Sequence, residues 1–149
     1  MALAVTGMLL AAVAGALFAS AENYSANKDI FDAANPARLA LLRITADIRS
    51  AQAVSVTEAS TQCSLVTSDG SDITYSYSAD DQILYLVTND DSTDADYVLC
   101  KNVTDLTFTR TTVPDDSSSI REVKISITVS SGACTETVSS AAVVRRNLL

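Results

Sequence analysis

The sequence predicts an α+β protein in which one long N-terminal helix, first transmembrane and then amphipathic, packs on an antiparallel β-sheet head. Three observations carry that prediction. No charged residue occurs from Met1 to Ala21. From Ser25 to Ala53 apolar residues recur in alternating four- and three-residue steps, the period of a helix with one buried face. After Val54 the chain breaks into short runs rich in Val, Ile, Thr and Tyr, too closely spaced for crossover helices.

The first segment, residues 1–21, reaches about 31 Å at helical rise, close to the hydrocarbon thickness of a bilayer. Within it Gly7, Ala11, Gly15 and Ala19 fall four residues apart, a spacing that lets a second helix approach closely. Residues 22–53 read as an amphipathic continuation of the same helix. Its stripe is Ile30, Ala34, Ala37, Leu41, Ile44, Ile48 and Ala51, with Asp29, Arg43 and Asp47 outside it on faces suited to water. Pro36 lacks an amide donor and disfavours helical geometry at Asn35, so a kink is expected there, with the stripe resuming in phase.

Residues 54–149 form the head. Strands are expected at 63–67, 73–78, 83–88, 97–101, 106–111, 123–130 and 142–146, separated by turn formers such as Ser68-Asp69-Gly70-Ser71 and Ala79-Asp80-Asp81-Gln82. Val123, Ile125, Ile127 and Val129 alternate with Lys124, Ser126, Thr128 and Ser130, the mark of a half-buried strand.

Composition excludes several functions. Ten basic against eighteen acidic residues give a net charge of −8, which repels a phosphate backbone and argues against nucleic acid as a partner. The chain has no His, so the commonest general base and metal ligand is missing. A Ser–Lys nucleophile would need Lys28, Lys101 or Lys124, and none lies in a recognisable motif; the chain reads as a non-enzyme. Cys63, Cys100 and Cys134 lack CxxC spacing, and an odd count allows three single bridges with one thiol left over. The run from Asn89 to Asp96 offers Asp90, Asp91, Asp94 and Asp96 as oxygen ligands for calcium, without the Gly and closing Glu of an EF-hand. A solvated acidic loop is the plainer reading of that run.

Several strings, taken in order, resemble minor pseudopilins and minor pilins. They are Asn35-Pro36-Ala37-Arg38-Leu39-Ala40, Asp47-Ile48-Arg49-Ser50-Ala51, Ile73-Thr74-Tyr75, Leu84-Tyr85, Val103-Thr104-Asp105-Leu106-Thr107-Phe108, Arg121 to Val129, and Arg146-Asn147. The nearest likeness is to the J-type pseudopilin of type II secretion and the W-type minor pilin of type IV pili. The resemblance implies a pilin-like fold, a single-pass subunit of the bacterial inner membrane with its head in the periplasm, and a place at the tip of a fibre made with other minor and major subunits. It also implies calcium binding in some heads. The family's leader peptidase cuts after a Gly, before a Phe-Thr-Leu-type segment with a Glu at the fifth mature position; this start lacks all of that, so Met1 is expected to be an internal methionine.

A second class stays open at this stage. Ala19-Ser20-Ala21 is a small-x-small site after an apolar run, and cleavage before Glu22 would release a secreted β-rich binding module.

Overall fold

The computed structural model describes residues 2–90, 93–114, 116–132 and 134–145. Helix α1 (Ala2–Ser50) is unbroken and passes through Pro36, so the expected kink does not interrupt it. It ends where the Ser50 hydroxyl donates to the carbonyls of Ala46 (3.1 Å) and Asp47 (3.2 Å), occupying acceptors that the last turn leaves open. The Gln52 amide then donates to the Val66 carbonyl at 2.8 Å, and the chain leaves helix for sheet.

Two antiparallel meanders follow. The first runs β1 (Ala53–Val54), β2 (Gln62–Val66), β3 (Asp72–Ser78), β4 (Ile83–Thr88) and β5 (Tyr97–Lys101), in that spatial order. The second is β6 (Val103–Val113), β7 (Asp116–Ser131) and β8 (Cys134–Val143). β4 and β5 match the sequence expectation. The expected last strand at 142–146 is instead the end of β8, and residue 146 lies outside the described residues. Cys134 to Ala141 is dominated by Ser, Thr and Ala and carries little strand signal; its partner, the 16-residue β7, supplies the alternation and imposes the pairing from Ser131↔Cys134 to Glu122↔Val143. The helix was expected to reach Ala53 but ends at Ser50, and Ala53 instead opens β1, which pairs with β2 through Ala53↔Val66 and Val54↔Leu65.

The two sheets meet where β1 and β2 approach β6 and β7, and α1 fills the opposite side, packing against β8, β7 and β5. One core results. Ile44 and Ile48 from the helix, Leu65, Tyr75 and Leu84 from the first sheet, and Leu106, Ile125 and Ile127 from the second are all under 2% exposed.

Arg110 on β6 clasps the sheets together. Its guanidinium, with the side chain 9% exposed, pairs with Glu58 at 3.5 Å and donates to the carbonyls of Glu58 (3.2 Å), Ala59 and Gln62. Glu58 in turn accepts the Ser64 amide at 2.6 Å, and the Phe108 amide donates to the Ser60 carbonyl at 2.7 Å across the same seam.

The lower edge of the head is set by the β7–β8 turn. Gly132 has φ of +58°, a conformation glycine adopts without strain, and a Cβ there would sit 3.0 Å from the Asp29 carboxylate, so glycine lets this turn close on the helix without displacing that side chain.

Candidate assembly surface

The helix has an inner and an outer face beside the head. Ala34, Ala37, Ala40, Leu41, Ile44, Thr45 and Ile48 are buried, which places four of the five expected head-packing residues. The fifth, Ile30, lies on the same stripe but is 39% exposed, at the edge of the head beside the Asp29–Gly132 contact.

Each flank of the helix is tied to a different sheet. On one side Arg38 pairs with Glu136 of β8 at 3.5 Å, in an exposed contact. On the other, the buried Tyr75 hydroxyl donates to Asp47, Asp47 pairs with Arg43 at 4.0 Å, and the Arg43 guanidinium lies 5.8 Å from the centroid of the Tyr97 ring. Asp47 is therefore half-buried rather than turned to water as its position outside the stripe suggested. Burial, with the Asp47 carboxylate beside it, raises the Tyr75 phenol well above its ordinary range, so it stays a donor.

The stem is uncovered. From Val5 onward the helix is long and apolar enough to cross a membrane, a test that a signal sequence near an N-terminus also passes. Gly7, Ala11, Gly15 and Ala19 are exposed, and a Cβ on Gly7 or Gly15 would meet nothing within 4 Å. At about 100° per residue this row drifts round the helix until Ala19 shares the direction of the head-buried Ala37.

The opposite face was not singled out in the sequence. Leu10 (71%), Leu17 (66%), Tyr24 (73%), Phe31 (65%), Leu39 (62%) and Leu42 (67%), together with Val13 (56%), are large apolar residues it exposes. The first four are seven residues apart, a signal readable in the sequence but masked by the general apolarity of the stem. Leu39 and Leu42 flank the head-packed turns and would be placed in the core by composition alone.

The other candidates do not assemble into a site. The Asp90 carboxylate accepts the Asp72 amide at 2.8 Å, and Asn89 donates to the Asp72 carboxylate (2.8 Å) and the Thr74 hydroxyl (2.9 Å), so Asp90 serves a turn. Asp94 and Asp96 are exposed, and Asp91 lies outside the described residues. Among the described residues no three His, Cys, Asp or Glu side chains converge to hold a metal. Lys28, Lys101 and Lys124 are exposed on three separate elements.

None of the three possible bridges forms: all three cysteines are free thiols, and Cys63 and Cys100 are buried. Cys63 on β2 and Cys100 on β5 are separated by β3 and β4. Three strand spacings amount to roughly 14 Å, twice the ~7 Å that a bridge tolerates between Cα atoms. Cys134 belongs to the other sheet. Burial pushes the Cys63 thiol up to about 11, against the opposing pull of the Arg110 guanidinium, and burial also raises Cys100.

Comparison with known proteins returns no match to this chain among family models, curated proteins or solved structures.

Proposed function

We propose that the chain is a structural subunit of a membrane-assembled fibre, of the minor pseudopilin or minor pilin kind, that works through helix–helix and head–head contact rather than catalysis. The stem sits in the bacterial inner membrane before assembly and against neighbouring stems, at the fibre tip, afterwards; the head lies in the periplasm. The resemblance in the sequence motivates this reading. The observation that supports it best is the outer face of α1.

Measured from Ala21 at about 1.5 Å per residue, Phe31 lies roughly 15 Å beyond the end of the apolar stem, Leu39 about 27 Å and Leu42 about 31 Å. The polar layer of a bilayer adds only about 5–8 Å on each side. Lipid that covers the stem therefore leaves these three side chains in water, although each is more than 60% exposed on an ordered helix. A single-pass anchor has no use for them; a subunit that docks on other helices does.

Leu42→Lys tests this in cells. The head should unfold at the same denaturant concentration as the parent, while recovered fibre falls at least tenfold. Parental fibre levels would overturn the proposal.

The alternative, a secreted module cut before Glu22, draws on one feature. The helix residues buried by the head begin only at Ala34, so removing the stem leaves the core intact. Intact mass separates the two: a chain beginning at Glu22 supports secretion, and a retained stem supports the subunit.

A further inference from the structure

We draw no further inference here: the strongest candidate, the open cavity of about 400 Å³ between β1, β2 and the turn at Asn89, gathers Glu58, Ser64, Asp72 and Asn89, whose polar atoms bond one another and the neighbouring strands, and no second feature among the described residues points to a ligand.

Discussion

The two faces of α1 are made from different residues, and the difference explains what each is for. The face against the head is Ala34, Ala37, Ala40, Leu41, Ile44, Thr45 and Ile48, mostly small or β-branched side chains that let the helix lie close to two sheets at once. The face away from the head is Phe31, Leu39 and Leu42, each more than 60% exposed. The inner face is filled by the head's own strands, whereas the outer face carries side chains of core type that nothing in the single chain covers.

The largest expected effect concerns what holds the inner face in place. Arg110 is nearly buried and paired with the half-buried Glu58 carboxylate, so Arg110→Ala leaves that carboxylate without its cation and the Glu58, Ala59 and Gln62 carbonyls without their donor. The head should lose about 3–5 kcal/mol. Arg38→Ala removes an exposed pair with Glu136, whose side chains are 62% and 41% exposed, and should cost no more than about 1 kcal/mol. Urea denaturation of the two variants measures the contrast. If they lose equal stability, the Arg110 clasp is not what joins the sheets.

Next comes truncation of the helix itself. Ile48 is fully buried, and Ile48→Ala should cost about 2–5 kcal/mol through lost burial and the cavity left behind. Leu42→Ala removes a comparable volume from the outer face and should change the stability of the head by roughly 0.5 kcal/mol or less. A large loss from Leu42→Ala in the isolated chain would show that the outer face already packs on something within the molecule.

Alkaline pH probes the inner core from another side. The Cys63 thiol is raised from an ordinary 9.0 to about 11, so between these values the unfolded chain gives up a proton that the folded chain retains. Unfolding is therefore favoured as pH rises. The contribution is fully present below pH 9 and lost on the way to pH 11. Its size is about 2–3 kcal/mol at most. Cys63→Ala should flatten the fall in urea midpoint between pH 9 and 11.

Much of this architecture was legible in the chain because it rests on local period. The inner stripe declared itself through its four- and three-residue steps, and β4 and β5 through dense β-branched and aromatic residues between acidic turns. β8 did not, since Thr135 to Ala141 acquires strand geometry only by pairing with β7. Arg110 and Glu58 are 52 residues apart, and nothing local marks them as partners. The outer face was hidden for a different reason. In a stem where almost every residue is apolar, periodicity carries no contrast, and only the position of the head reveals which side is left open. Asp47 shows the same limit on a smaller scale: its spacing placed it off the stripe, but only the fold brings Tyr75 against it.

The smallest expected change in head stability belongs to the stem, where the two faces can be set against each other. Gly15 lies in the small-residue row and faces open space, so Gly15→Leu adds a side chain that meets nothing in the single chain. Leu17 lies on the large-residue face and is 66% exposed, so Leu17→Ala removes one that nothing in the chain contacts. Both should leave the urea midpoint of the head where it was, within about 0.5 kcal/mol. Their effect belongs to assembly. If neighbouring stems approach along the small-residue row, Gly15→Leu should lower recovered fibre far more than Leu17→Ala, because a bulky side chain forces the backbones apart. If the outer face is the only contact, the order reverses. If both variants assemble like the parent, neither stem face is a docking surface, and the exposed residues beside the head must carry association alone.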